Sequence, residues 1–320
     1  MRNETLALLN VGMSLVSLFK GKGPSGYGYG TTAEVVTQGV VLKGKNFLVT
    51  GSTSGMGLET VRVLAQRGAR VFATGRSKEK VVSALGRMPG VFVPLACELS
   101  DPKSVRDCVS AVKSDGVKLD GIIANAGVMA LPTLELVHGY ERQFFTNHIG
   151  HFLLVTELLP ELAEKARVVI LSSGAHKMAP KAGIEFDNLA GERSYSPWAA
   201  YGQSKLANLL FAKQLAKRLA QEGSTVTANS VHPGVIMSGL QRSMPAIQRL
   251  SMAIAAPIGF KSIPEGAATQ VYVATRPELE GVNGEYFADC NIAHPNALAR
   301  DAALAERLWQ ESERIVAQLS

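Results

Sequence analysis

Cysteine is scarce in this 320-residue chain. Cys97, Cys108 and Cys290 make an odd three, and no two of them stand at C-x-x-C spacing. That pattern argues against a secreted disulfide scaffold and a structural zinc site, and points to a reducing compartment. No clustering of histidines with carboxylates suggests a metal ion, so none is expected. Long apolar runs are lacking too: the most apolar stretch, residues 5–19, falls short of the roughly 20 residues that span a bilayer. The 31 glycines follow no collagen-like period and form no low-complexity tract, and no internal repeat is visible. Lysine and arginine outnumber acidic residues 33 to 27, giving a formal charge of +6. They are scattered, however, and no basic run is interleaved with aromatics, so nucleic acid is not an expected partner. A basic balance then leaves an anionic small ligand or an anionic membrane surface.

The N-terminal 44 residues read as an extension. In residues 5–19, Asn10, Ser14 and Ser17 continue a narrow polar stripe from Asn3 on an otherwise apolar helix. Such a helix either packs on the protein's own body or lies in a membrane interface with Lys20 and Lys22 beside it. A cleaved presequence is the third reading, a poor one because no small-residue cleavage site follows. Gly21 to Gly30 reads as a flexible, turn-rich linker. Thr31 or Thr32 reads as the N-cap of a short helix around Ala33 to Thr37.

From residue 45 to 320, short strands that are apolar throughout alternate with amphipathic helices. Strands are expected at Asn46–Thr50, Arg70–Thr74, Val91–Ala96, Leu119–Ala124, Arg167–Leu171 and Thr225–Val231. Helices are expected at Met56–Arg67, Lys78–Leu85, Pro102–Lys113 and Ala199–Gln221, with one long helix over Tyr140–Glu164. This predicts a parallel sheet covered on both faces, wound in right-handed crossovers: an α/β, doubly wound Rossmann fold in a single domain with a helical N-terminal extension.

The first strand runs straight into Gly51, Ser52, Thr53, Ser54, Gly55, Met56 and Gly57, then a helix. Glycines there let the backbone turn tightly and approach a pyrophosphate, with the helix N-terminus facing the anion. The second strand ends on Gly75 and Arg76, where an NAD site would want a carboxylate for the ribose 2′-hydroxyl. A guanidinium suits a 2′-phosphate instead, so NADP(H) is the expected cofactor. Glu98 and Leu99 close the third strand, where an acidic group could meet adenine. Asn125, Ala126 and Gly127 close the fourth, beside the cofactor ribose. Tyr201 and Lys205, four residues apart on a helix, share one face. A phenol titrates near 10 and is a poor acid–base group at neutral pH; a neighbouring ammonium is expected to lower that value. Ser172 and Ser173 end an apolar strand where a hydroxyl could orient the same substrate oxygen, and Asn147 lies in the long helix before it.

The segments TGSTSGMG, ANAG, NHIGHFLL, VVILSSGAH, YGQSK and HPG stand in the order and spacing of the short-chain dehydrogenase/reductase family, which the chain resembles over about residues 31 to 318. Within it the chain is most similar to the retinol-dehydrogenase, WW-domain-oxidoreductase and Tic32-like branch, through TTAEVVTQG, AYGQSKLANLLFAKQL, KSIPEGAATQVYVA and GEYFADCNIA. No WW modules precede the domain. The resemblance implies that Tyr201 is the general acid/base, and that Lys205 binds the nicotinamide ribose and depresses the Tyr201 pKa. It implies that Ser173 holds the substrate oxygen and that Asn147 supports a water in a proton relay. Pro233 and Gly234 would shape the nicotinamide pocket, with Ser238 near its amide. The chain departs mildly from the family pattern: Glu98 stands where Asp is usual, Ala124 where Asn is common, Met56 where Ile is common and Ser238 where Thr is usual.

His148 and His151 read as packing or satisfied core histidines, whereas His176 and His232 flank the expected cleft. Residues near 238–262 would form a substrate lid, and the apolar, Met-containing stretch from Gln241 to Phe260 suits a hydrophobic substrate. The expected activity is NADP(H)-dependent interconversion of a lipophilic aldehyde or ketone and its alcohol. Alternatives are an NADP(H)-sensing interaction protein at a membrane complex and a biosynthetic ketoreductase of specialised metabolism. The expected setting is intracellular, cytoplasmic or peripherally membrane-associated through residues 5–19. A homodimer through the long helices is implied by family analogy alone.

Overall fold

The computed structural model describes residues 16, 20–236 and 259–319. Its centre is an eight-stranded sheet. The strands are β1 (Asn46–Val49), β2 (Arg70–Gly75), β3 (Val91–Ala96), β4 (Leu119–Ala124), β7 (Leu162–Leu171), β8 (Thr227–His232), β9 (Tyr286–Ala288) and β10 (Asn291–Ile292). A separate two-residue hairpin supplies β5 (Leu136–Val137) and β6 (Tyr140–Glu141). The spatial order is β10-β9-β8-β7-β4-β1-β2-β3, parallel throughout except for β10. The order reverses between β1 and β4, and ligands in such sheets sit outside the carboxyl ends of the strands at that point.

Both faces are covered, as the wholly apolar strands require. On one face lie α1 (Ala33–Val36), α2 (Gly55–Gln66) and α8 (Ile263–Thr275), sharing a core with β1 and β2 through Val36, Val61, Leu64, Val71 and Val271. On the other lie α4 (Pro102–Asp115), α6 (Gly150–Leu158), α7 (Pro197–Gln221) and α9 (Ala302–Ala317), around Phe152, Phe211 and Trp309. α3 (Lys78–Leu85) flanks the β2–β3 edge. Local signals set the helix ends. Ser77 caps α3 by accepting Lys80 N, and Asp101 caps α4 by accepting Lys103 N, with Pro102 in the first turn. Asp301 caps α9 by accepting Ala303 N and Leu304 N.

Two expectations need correction. The long helix over Tyr140–Glu164 is interrupted twice. Tyr140 and Glu141 pair in β6, and the helix then runs as α5 (Arg142–Phe144), a π-turn (Phe145–Ile149) and α6. It ends at Leu158, where Pro160 cannot continue it, and the chain enters β7 at Leu162, five residues earlier than the apolar run suggested. Gly21–Gly30 is no free linker either. Gly23 N donates to Tyr27 O at 2.8 Å. The Asn291 side chain accepts Ser25 N at 3.0 Å and donates to Tyr27 O at 3.1 Å. Tyr29 is buried. Thr32 is the N-cap of α1. Apart from Val16, the apolar residues 5–19 lie outside the described residues, as do Ser238 and most of the expected lid. Among the described residues no helix is long and apolar enough to cross a membrane.

Candidate functional site

The turn from β1 to α2 is built by two backbone demands. Gly51 (φ 73°) and Gly55 (φ 58°) occupy the left-handed region. Gly57 answers a packing demand: a Cβ there would meet Gly51 O at 2.1 Å. Buried Ser52 fixes the loop, its hydroxyl donating to Val49 O at 2.9 Å and its N–H to Thr74 O at 2.7 Å. Ser54 is the N-cap of α2 and makes no side-chain cap bond. The first N–H groups of the helix are therefore uncapped by any side chain, the arrangement a phosphate binds. Thr53 packs against Gly75, where a Cβ would meet its methyl at 2.7 Å. These features fit a dinucleotide pyrophosphate.

Arg76 follows directly on β2, exposed and without an ion-pair partner among the described residues. Glu98 is turned onto its own loop: its carboxylate accepts Ser100 N at 3.1 Å and the Ser100 hydroxyl at 2.7 Å. Buried Leu99 packs against Gly150, where a Cβ would meet Leu99 O at 2.3 Å. At the end of β4, Thr50 accepts Asn125 N and Ala126 N, each at 2.9 Å, and the Asn125 side chain donates to Thr50 O at 2.8 Å. Gly127 stands where a Cβ would meet Asn147 Oδ1 at 2.9 Å and Lys205 Nζ at 3.5 Å.

The four expected catalytic residues converge from three elements. Asn147 sits in the π-turn, buried; its side chain accepts Val128 N at 2.8 Å and donates to Val128 O and the Ser204 hydroxyl, each at 2.9 Å. Ser173, just after β7, accepts Ala175 N at 3.2 Å. Tyr201 and Lys205 lie on α7, both buried, with the ammonium 5.7 Å from the phenol ring centroid. Ser172 donates to Lys205 O at 2.8 Å and holds that turn of α7 on the sheet, while Lys205 Nζ donates to Leu171 O at 3.2 Å.

Electrostatically the site departs from expectation. Burial pushes the Tyr201 phenol up to about 12, with the Ser173 hydroxyl acting in the opposite sense. Burial pushes the Lys205 ammonium down to about 8. Desolvation is the largest cause for both groups, and it acts on each against its charged form.

Tyr201, Lys205 and Ser173 line one cleft of about 320 Å³ with Asn125, Gly127, Pro233 and Gly234. Sequence reasoning missed much of its apolar wall: Val128, Met129, Met178, Trp198, Val235 and Ile236. Trp198, three residues before Tyr201 on α7, could have been found by helical spacing; its ring meets the phenol edge-on at 6.2 Å. His232 lines the cleft, whereas His176 is buried beneath it on Ser173 O at 2.7 Å. His148 bonds Ser312 amid Phe144, Phe152 and Phe211. His151 also has a structural task. Thr50, already accepting two N–H groups, donates to His151 Nε2 at 2.8 Å, so Nδ1 carries the proton and donates to Asn147 O at 2.9 Å. Burial, against the opposing Asn147 bond and with the help of nearby Lys205, pushes this ring down to about 4, neutral at physiological pH. The chain just after β1 and the π-turn are thereby tied together. Among the described residues no group of three or more His, Cys, Asp and Glu could hold a metal.

Comparison with known proteins gives the family and the fold. Residues 45–248 match the short chain dehydrogenase family. The chain is 43% identical over 326 residues to short-chain dehydrogenase TIC 32 B, chloroplastic, of Brassica napus, covering 96% of this chain and all of that protein. It is 41% identical over 285 residues to retinol dehydrogenase 12 of Mus musculus, covering 87% of this chain and 88% of that one. A crystal structure of an uncharacterized protein from Mycobacterium Paratuberculosis superposes with a TM-score of 0.72 at 32% identity, covering 90% of this chain and 98% of that one.

Proposed function

The chain belongs to the short chain dehydrogenase family, and on that premise we propose that it is an NADP(H)-dependent oxidoreductase that reduces a lipophilic aldehyde or ketone to its alcohol. The observation that carries this reading is the single cleft in which Tyr201, Ser173 and Lys205 meet an apolar wall of Met129, Met178 and Trp198. A bound nicotinamide would supply the hydride there. The chain's own residues do the rest. The apolar wall excludes water from the reacting carbon. Ser173 and Tyr201 hydroxyls hold the carbonyl oxygen, and the Tyr201 O–H gives it a proton as charge develops. Lys205, Asn125 and Gly127 line the same cleft and would take the cofactor's ribose. Similarity to a retinol dehydrogenase supports a lipophilic substrate. Residues 5–19 would add a peripheral membrane contact, which suits a substrate drawn from lipid. The test is NADPH oxidation by the purified protein against a panel of long-chain aldehydes, retinoid and steroid carbonyls. Turnover on none of them, with dinucleotide still bound, would instead favour an NADP(H)-sensing role.

Cofactor choice is assigned to Arg76, the one cation directly following β2, where a 2′-phosphate would lie. Hydrogen bonds to a charged group contribute about 1.5–3 kcal/mol. Arg76→Ala is therefore expected to weaken NADP(H) binding by roughly ten- to a hundredfold and to leave NAD(H) affinity unchanged. Calorimetric titration of both cofactors measures this; an unaltered NADP(H) preference would remove the assignment.

A further inference from the structure

His232 is the one histidine in the described cleft wall, and the mechanism above gives it no task. Its Nδ1 accepts two backbone N–H groups, Gly174 N at 3.0 Å and Gly234 N at 3.4 Å. A nitrogen that accepts carries no proton, so the neutral ring bears its hydrogen on Nε2. Nε2 makes no hydrogen bond among the described residues. Gly174 borders this edge of the ring: a Cβ there would stand 3.4 Å from both Cε1 and Nε2, in van der Waals contact with them. An ion pair with a buried lysine lies close enough to act on the ring electrostatically. The Lys261 ammonium, with 1% of its side chain exposed, meets Asp289 at 2.6 Å. A Cβ on Gly234 would lie 2.7 Å from Cδ of Lys261, so the lysine stem packs on that turn, and Lys261 N donates to Val235 O at 2.8 Å. Burial and Lys261 keep the ring neutral, against the opposing pull of Asp289, with His176 and Lys177 acting in the same sense as Lys261.

We propose that the His232 Nε2–H is a specificity-determining donor that binds a second oxygen on the substrate, adjacent to the carbonyl held by Ser173 and Tyr201. Gly174, whose N–H His232 accepts, follows Ser173 directly in the chain, and His232, Ser173 and Tyr201 line the same cleft. The substrate class is then an apolar carbonyl compound with a further hydroxyl, keto or ester oxygen near the reacting group, rather than a plain hydrocarbon aldehyde. This rests on the carbonyl-reductase reading given above.

The test compares two substrates of equal chain length, a plain alkyl ketone and the corresponding hydroxyketone, with NADPH and the full-length protein. Wild type is expected to favour the hydroxyketone by about tenfold in kcat/KM, the size of one well-made hydrogen bond. Gly174→Ala keeps the N–H that His232 accepts but sets a methyl against the Nε2 edge. His232→Asn keeps an acceptor for Gly174 and a side-chain N–H. Gly174→Ala should abolish the preference, with the plain ketone's kcat/KM changed less than threefold, and His232→Asn should retain part of it. Equal kcat/KM for the two ketones in wild type would overturn the proposal, as would an equal loss on both in Gly174→Ala. Reduction of neither ketone by the wild-type protein would overturn the carbonyl-reductase reading and this proposal together, a result distinct from those two.

Discussion

Tyr201→Phe is expected to lower kcat for carbonyl reduction by about 10² to 10⁴, the usual contribution of a placed general acid. Little else should change. Tyr201 is 6% exposed and its ring meets Trp198 edge-on, contacts that a phenylalanine ring keeps. The variant should therefore melt within a few degrees of wild type and bind NADP(H) with similar affinity. Single-turnover NADPH oxidation separates the outcomes: lost chemistry with cofactor binding retained is the expected result, and wild-type turnover would remove Tyr201 from the reaction.

The pKa directions give this prediction a pH dependence. With the phenol at about 12, Tyr201 is protonated throughout the neutral range and is ready to donate. Reduction needs the phenol and oxidation needs the phenolate. Carbonyl reduction should hold level at neutral pH, while alcohol oxidation should keep rising as pH increases. Lys205, at about 8, sets the alkaline limb. As pH climbs through that value the ammonium is lost, and with it a charge that a bound dinucleotide would meet in the cleft. The kcat/KM for NADPH, which reports groups of the free enzyme, should fall above about pH 8.

Much of this was legible in the sequence because the signals are local. An apolar strand followed by Gly51 and Gly57 needs no distant partner to be read, and the i, i+4 pair of Tyr201 and Lys205 declares a shared helix face. The interrupted helix was harder. Residues 140–164 are apolar and helix-forming, and only β-pairing across Leu136–Val137 and the arrest at Pro160 divide them. The π-turn at Asn147 carries tertiary ties: Val128 and Ser204 take its side chain, and His151, which takes its carbonyl, is itself bonded to Thr50. The order in Gly21–Gly30 depends on Asn291, more than 260 residues away. The Tyr201 pKa could not be read from spacing either, because a neighbouring charge was visible in the sequence and the depth of burial was not.

Gly57→Ala carries the second large effect, and it separates a packing role from a merely permissive one. Gly57 lies in α2, so its backbone conformation suits alanine, and alanine is the better helix former. By propensity alone the substitution would stabilise the protein by just under about 1 kcal/mol. The structure reverses that sign. The added Cβ would stand 2.1 Å from Gly51 O and 2.7 Å from the Asn125 side-chain nitrogen. The first of these is backbone and cannot swing aside, so α2 must move off the turn. Overpacking of this kind costs about 1–3 kcal/mol, and the displaced parts are the very N–H groups expected to meet the pyrophosphate. The variant should melt several degrees lower and lose at least about tenfold in NADP(H) and NAD(H) affinity alike, each tenfold being about 1.4 kcal/mol. That shared loss distinguishes it from Arg76→Ala, which should touch NADP(H) alone. Gly21→Ala is the control, since a Cβ there meets nothing within 4 Å and should leave both melting and binding unchanged. Undiminished binding of both cofactors in Gly57→Ala would mean that the β1–α2 turn does not hold the dinucleotide.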